Sequence, residues 1–122
     1  MNKCKTCVLT QKRDSGESPL WDNIYRTNYF DVVHAYDTSL LGWIVLVLRR
    51  HIESVDDLTE DEASELGRLI RVISIELKSI LRCEKTYIMQ FAEEPGHQHV
   101  HFHVVPRMSD IPDENKGSNI LN

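Results

Sequence analysis

The sequence has 122 residues, of which 41% are hydrophobic and 27% are charged, a composition typical of one soluble globular domain. Its formal net charge of −5 argues against binding of nucleic acid, which needs a surplus of Lys and Arg. The start of the chain has no apolar segment like those of secretory signals, and the longest apolar run, about Leu40 to Leu48, is too short to span a membrane. We therefore expect a cytoplasmic protein that contacts neither nucleic acid nor membrane.

The first half of the chain is predicted to contain a loop and then strands. The polar stretch Thr10 to Pro19 contains Gly16 and Ser15, which favours a loop. Short strands are predicted at 23–26 and 29–35. The continuous apolar run 43–48, directly after Gly42, is typical of a strand that is buried on both faces.

A long helix is the clearest predicted element. Thr59 and Glu62 have the spacing of a capping box, which predicts the start of a helix at this position. Apolar residues then recur every three or four positions from Leu66 to Leu81, a spacing that predicts one buried stripe.

Two more strands follow the helix, at 86–92 and 99–105, and Pro106 is expected to end the second. Strands on both sides of one helix indicate an α+β fold, with an antiparallel sheet of about five strands and the helix packed on one face. We expect one domain over residues 1–108, whose first 20 residues hold a C-x-x-C motif and the polar loop. A polar tail occupies 109–122, and the sequence leaves open whether it docks.

Three histidines alternate with apolar residues in the last predicted strand. His99, His101 and His103 are expected to share one face of it, because residues i and i+2 of a strand point the same way. Three interpretations are open: a surface strand that happens to be polar, a metal site, and nucleophilic catalysis by a neutral imidazole. The C-x-x-C motif of Cys4 and Cys7, in a reducing compartment, favours metal or redox chemistry over a structural disulfide.

The run His99-Val100-His101-Phe102-His103-Val104-Val105-Pro106-Arg107 resembles the signature of the histidine-triad (HIT) family, in particular its diadenosine-polyphosphate-hydrolase-like branch. Further resemblance lies in Gly42 to Val47, in Arg49-Arg50-His51 and in the start of the helix at Leu58 to Glu62. It covers roughly Cys4 to Arg107.

The resemblance implies an enzyme that attacks the α-phosphorus of a nucleotide and forms a nucleotidyl-histidine intermediate. On this basis His101 is the nucleophile, His103 donates to the phosphate oxygens and His99 orients the nucleophile's ring. Gln90 corresponds to an amide that binds the phosphate in the family. The loop Glu93 to Gln98 lacks the hydroxyl that many members carry there, and His97 is expected to replace it as a proton donor.

The resemblance also implies a structural zinc ion. Related proteins bind zinc through a C-x-x-C pair, a histidine after the buried strand and the first histidine of the triad. Here that set is Cys4, Cys7, His51 and His99, and a closed Cys2His2 set leaves no position for a catalytic role. The alternative is a pair of reduced cysteines, with His51 facing phosphate or capping a turn.

The expected substrate is a dinucleoside polyphosphate or a nucleotide conjugate, hydrolysed at its α-phosphate without an organic cofactor. We expect the base to contact Ile24, Phe30 and Val32, and the chain to form a homodimer like other members of the family. Two alternatives remain open at this stage: a nucleotidyl transferase that uses the same first step, and a zinc-containing nucleotide-binding module with little turnover.

Overall fold

An antiparallel sheet of five strands organises the fold of residues 4–121, the part of the chain that the computed structural model describes. The strands lie in the order β1–β2–β3–β5–β4. Their bounds are β1 (Tyr25–Arg26), β2 (Phe30–His34), β3 (Ile44–Leu48), β4 (Lys85–Met89) and β5 (His101–Arg107), and the helices are α1 (Lys5–Asp14) and α2 (Glu60–Leu81). The predicted α+β fold is confirmed.

The predicted capping box starts α2. The Thr59 hydroxyl accepts a hydrogen bond from the backbone N–H of Glu62 (3.1 Å), and the Glu62 carboxylate accepts one from the backbone N–H of Thr59 (2.8 Å). Glu62 is buried and also accepts from Arg50 Nε at 2.8 Å. The helix is thereby joined to the basic turn that follows β3.

The hydrophobic core lies between α2 and one face of the sheet. The predicted alternation is confirmed within β5, since Phe102 and Val104 belong to this core while His101 and His103 do not. His99 precedes β5. Gly42 has φ +87° and brings the chain against α2, where an added Cβ would lie 2.4 Å from Leu81 Cδ1. The opposite face carries a smaller apolar cluster of Val33, Val45 and Val47.

The predicted loop from Thr10 to Pro19 is wrong over its first part, because α1 continues to Asp14. Its buried residues are Thr6, Thr10 and Arg13. This face contacts the sheet through polar groups, so the apolar periodicity that usually identifies a helix is missing. Cys4 caps the helix, and its Sγ accepts from the Cys7 N–H at 3.2 Å.

The strand predicted at 99–105 begins and ends later than expected. β5 starts at His101, not His99, and it continues through Pro106 to Arg107. The pairing of β5 with β3 ends at Ile44↔Val104, so Pro106 lies where one side of the strand has no partner. A proline is tolerated at such an edge because no N–H is needed there.

The C-terminal segment docks on the sheet within the described residues. Two 3-10 turns cover Asp113–Asn115 and Gly117–Asn119, Ile120 is buried, and the Gly117 N–H donates to the Tyr87 hydroxyl at 2.9 Å. Residues 1–3 of the predicted domain and residue 122 of the predicted tail lie outside the described residues. Within 4–121, neither helix combines the length and apolar character needed to cross a membrane.

Candidate active site

The strand register places His101 and His103 on the face of the sheet opposite α2. His101 pairs with Val47 of β3 and His103 pairs with Val45, and paired residues of neighbouring strands share a face. Both histidines border a cavity of about 290 Å³, a volume at the lower end of the range for small-molecule sites. His99 precedes the strand and does not border this cavity.

His101 is held in one tautomer by the main chain. Its Nδ1 lies 2.6 Å from the carbonyl oxygen of His99, and a carbonyl oxygen accepts only from a protonated nitrogen. In the neutral ring, Nε2 therefore has a free lone pair. This is the state that a nucleophilic imidazole requires.

His103 is held in the opposite tautomer by the side chain of Trp43, which directly precedes β3. The indole Nε1–H of Trp43 donates to His103 Nδ1 at 2.9 Å, so in the neutral ring the proton is on Nε2. Burial, together with the nearby charge of His101, lowers the pKa of His103 to about 4. His103 is therefore a neutral N–H donor near pH 7, and its ring lies edge to face with that of His101 at 5.1 Å.

His99 is fully buried and its ring lies beside the cysteine pair. Its Nε2 donates to the carbonyl oxygen of Leu48 at 2.6 Å, which leaves Nδ1 with its lone pair. That atom lies 3.5 Å from Cys4 Sγ, 3.4 Å from Cys7 Sγ and 3.1 Å from His51 Nδ1. A fixed ring with one nitrogen bonded to a carbonyl is the usual arrangement of a metal-ligating histidine.

These four side chains fit a tetrahedral metal centre. Their ligand atoms all lie within 4.8 Å of one another, and Cys7 Sγ is 3.3 Å from His51 Nδ1. A tetrahedral zinc ion with ordinary bond lengths separates two nitrogens by about 3.3 Å and a nitrogen and a sulfur by about 3.6 Å. The observed separations are close to these, and two thiolates with two imidazoles are the donors that zinc prefers.

His97 lies at the rim of the same cavity and is hydrogen-bonded on both ring nitrogens. Nδ1 is 2.8 Å from the hydroxyl oxygen of Thr6 in α1, and Nε2 is 3.2 Å from that of Tyr36. Burial lowers the pKa of His97. His97, predicted to bind substrate, thus lies beside the cavity that His101 borders, together with a threonine hydroxyl.

Gln90 directly follows β4 and does not border the cavity. Its amide oxygen is buried and has no hydrogen-bond partner within residues 4–121. The proposed contact of Gln90 with phosphate remains a prediction.

The cavity wall contains residues that the sequence did not single out. Leu9 and Thr6 come from α1, Val33 and His34 from β2, and Trp43 precedes β3. The expected base contacts with Ile24, Phe30 and Val32 are wrong. Phe30 and Val32 belong to the core under α2, and Ile24 does not border the cavity, because residues 30 and 32 alternate with the cavity-facing position 33.

A buried ion-pair cluster connects α1 to the sheet at this cavity. Arg13 donates through Nη1 to Asp22 Oδ2 at 2.8 Å and through Nε to Asp31 Oδ2 at 2.7 Å. Burial raises the pKa of Asp22, and Arg13 opposes that rise. For Asp31, burial acts in the same direction, but hydrogen bonds from Arg26 and Arg13 bring its pKa below the ordinary value. No hydrophobic pattern in the sequence predicts this ion-pair cluster.

The chain is similar to known proteins in sequence and in fold. Residues 3–118 match the family model described as scavenger mRNA decapping enzyme C-term binding. An uncharacterised HIT-like protein of Saccharolobus solfataricus is 33% identical over 75 residues, which cover 59% of this chain and 54% of that protein. The matched segment thus spans about half of that relative's length.

Solved structures share the fold. A Zn-bound histidine-triad family protein from Mycobacterium smegmatis superposes with a TM-score of 0.69 at 19% identity, over 97% of this chain and 88% of that one. A hypothetical histidine-triad nucleotide-binding protein from Sulfolobus tokodaii gives 0.69 at 18% identity, over 91% and 76%. The family model, which matches most of the chain, shows that it belongs to the family of the scavenger mRNA decapping enzyme C-terminal domain, and the HIT-like relative and the shared fold support the resemblance to histidine-triad proteins.

Proposed function

We propose that this protein hydrolyses a dinucleoside polyphosphate or a nucleotide conjugate at the α-phosphate, through a nucleotide bound covalently to His101. The observation that carries the proposal is the position of His101. Its ring borders the cavity, and the 2.6 Å contact of Nδ1 with the His99 carbonyl oxygen leaves the lone pair on Nε2.

In the first step, the lone pair of His101 Nε2 forms a bond to the α-phosphorus. The bond from phosphorus to the leaving group breaks, and its electron pair goes to the leaving group. The ring now carries a positive charge, which the carbonyl oxygen of His99 stabilises through the Nδ1–H hydrogen bond. His103 donates its Nε2–H to a phosphate oxygen, because Trp43 occupies its other nitrogen.

The leaving group takes up one proton, which we assign to the hydrogen-bonded relay of Tyr36, His97 and Thr6. His97 gives a proton through one nitrogen and receives one at the other from the hydroxyl bonded there. That hydroxyl takes a proton from solvent, so all three groups of the relay end neutral. In the second step, water attacks the phosphorus, the P–N bond breaks, and its electron pair returns to Nε2. The water's proton passes to solvent, and a nucleoside monophosphate is released.

A structural zinc ion bound by Cys4, Cys7, His51 and His99 is part of the proposal. Its support is the fit of the four ligand atoms to tetrahedral geometry. When bound, zinc holds the thiolates and imidazoles in one fixed arrangement. The start of α1 is thereby fastened beside the residue whose carbonyl oxygen orients His101.

The proposed assembly is a homodimer. Apolar side chains that are exposed in the single chain lie on α2 and on the outermost strand β4. They are Val72, Ile75, Ile80 and Ile88, with 41–72% of each residue exposed. Light scattering coupled to size-exclusion chromatography should give twice the mass of the chain, and a monomer at micromolar concentration would refute this part.

The test of the reaction uses diadenosine polyphosphates and an adenosine phosphoramidate. We expect wild type to release AMP and His101→Ala to lose activity by several orders of magnitude, with its thermal unfolding little changed. A substrate labelled at the α-phosphate should leave label on wild type after an alkaline quench and none on the variant. Equal rates in the two proteins would refute the role of His101, and a product other than AMP would indicate transfer to an acceptor other than water.

A further inference from the structure

A histidine outside the triad closes the base of the hairpin between β2 and β3. His34 is the last residue of β2, and residues 35–43 lead from it to β3. Its Nδ1 lies 2.7 Å from the carbonyl oxygen of Ala35, and the backbone N–H of Gly42 donates to its Nε2 at 3.0 Å. One imidazole ring thereby joins the two ends of the loop.

The main chain uses both ring nitrogens of His34. The Ala35 carbonyl oxygen accepts only from a protonated nitrogen, and the Gly42 N–H needs a nitrogen with a lone pair. The two contacts therefore agree on one neutral tautomer, with the proton on Nδ1. His34 lines one edge of the cavity, but neither nitrogen is available to a ligand. The residue acts on the site through the loop that it holds.

The contact with Gly42 fixes the point from which Trp43 enters the site. Gly42 has φ +87°, and an added Cβ would lie 2.4 Å from Leu81 Cδ1, so α2 holds this glycine on one side and His34 on the other. Trp43 follows directly, and its indole Nε1–H donates to His103 Nδ1 at 2.9 Å. Hydrogen bonds weaken steeply when the donor turns away. Rotation of the Gly42 peptide therefore displaces the donor that selects the tautomer of His103.

The contact with Ala35 acts on the other half of the site. The Ala35 carbonyl belongs to the peptide that leads to Tyr36, whose hydroxyl oxygen lies 3.2 Å from His97 Nε2. The Ala35 N–H donates to the carbonyl oxygen of Trp43 at 2.9 Å and continues the pairing of the two strands. His34 adds to this pairing the orientation of the two peptides that lie further into the loop.

Resting on the proposed function, we infer that His34 is a positioning residue, which sets the tautomer of His103 through Trp43 and aligns the proton relay of the leaving group through Tyr36. The two effects pass through different nitrogens of one ring. Nε2 accepts from the peptide before Trp43, and Nδ1 donates to the peptide before Tyr36. The two contacts can therefore be removed one at a time.

Two substitutions of His34 separate these contacts. The amide nitrogen of an asparagine takes the place of Nδ1 and can donate to Ala35, but the shorter side chain does not reach Gly42. The amide of a glutamine takes the place of Nε2, where its oxygen can accept from Gly42. Nitrogen-15 NMR of the imidazole rings at pH 7, without substrate, should show His103 of His34→Gln only as the Nε2–H tautomer, as in wild type. His103 of His34→Asn should be a mixture of the two tautomers.

Single-turnover rates give a second measurement of the same separation. His34→Asn should slow diadenosine polyphosphates and adenosine phosphoramidate alike, by about 10-fold, because the phosphate loses its donor. His34→Gln should slow the phosphoramidate more than the polyphosphates, because an amine must be protonated to leave whereas a phosphate leaves as an anion. Thr38→Ala is the control, since it removes another hydrogen bond of the same loop, from the Leu40 N–H at 3.1 Å, and keeps both contacts of His34.

A single His103 tautomer in His34→Asn, or the same mixture in His34→Gln as in His34→Asn, would overturn the inference. A mixture of His103 tautomers in Thr38→Ala would overturn it as well, because any change in the loop would then have this effect. Each variant that folds, as judged by circular dichroism, decides by itself. The tautomers are measured without turnover, so these outcomes leave the proposed reaction standing, whereas a wild type that turns over neither substrate would refute the proposed function.

Discussion

The hydrogen bond from Trp43 to His103 allows a prediction that is specific to this site, because it concerns which ring nitrogen of His103 carries the proton. Trp43→Phe keeps an aromatic ring at the position but removes the Nε1–H that donates to His103 Nδ1 at 2.9 Å. His103 then no longer has a partner that requires its proton to be on Nε2. The phosphate would lose its donor in every molecule whose His103 carries the proton on Nδ1.

The magnitude follows from the cost of one buried hydrogen bond. Leaving a buried polar group without its partner costs about 1–3 kcal/mol. If about 1.4 kcal/mol of this appears in the barrier, the rate falls roughly 10-fold. The effect should appear in kcat more than in KM, because the donor matters most where charge develops on the phosphate oxygens.

Two measurements check this prediction. Nitrogen-15 NMR of the imidazole rings at pH 7 should show His103 of wild type only as the Nε2–H tautomer and a mixture in Trp43→Phe. Single-turnover rates should fall in the same variant. Trp21→Phe is the control, because Trp21 contacts the Tyr36 ring at 5.8 Å and does not touch the triad. An unchanged His103 tautomer in Trp43→Phe would refute the reasoning.

Three more predictions address the metal, a turn and a titration. Elemental analysis should find about one zinc ion per chain and much less in Cys7→Ser, and a metal-free wild type purified without chelators would end the zinc proposal. Gly42→Ala should lower the free energy of unfolding by about 1–3 kcal/mol, because φ is +87° and Leu81 lies in the way; Gly67→Ala, which has open space in α2, should not destabilise. His103 has a pKa of about 4 when folded, below the ordinary value of 6.5, so only the unfolded chain binds its proton between these values and stability falls as pH falls from 6.5 to 4. Between pH 7 and pH 5, the free energy of unfolding measured with urea should fall by about 2 kcal/mol more in wild type than in His103→Gln. Equal decreases in the two proteins would contradict the burial of this ring.

Local sequence patterns were sufficient to predict the elements that depend on contacts between residues close together in the chain. The capping box of Thr59 and Glu62 predicted the start of α2, and the alternation of His101, Phe102 and His103 predicted which side chains face the core. Both depend on contacts within a few residues or on the period of a strand. Resemblance to a family supplied the roles of the histidines and the metal ligand set, which spacing alone left open.

Tertiary structure alone decided the features that depend on partners far apart in the chain. The tautomer of His103 is set by Trp43, 60 residues away, and that of His101 by a carbonyl oxygen whose direction follows from the start of β5. The polar face of α1 has no apolar period, so only its contact with Asp22 and Asp31 accounts for the buried Arg13. A charged group is stable in the interior only when it is paired, and the sequence does not show which groups the fold brings together.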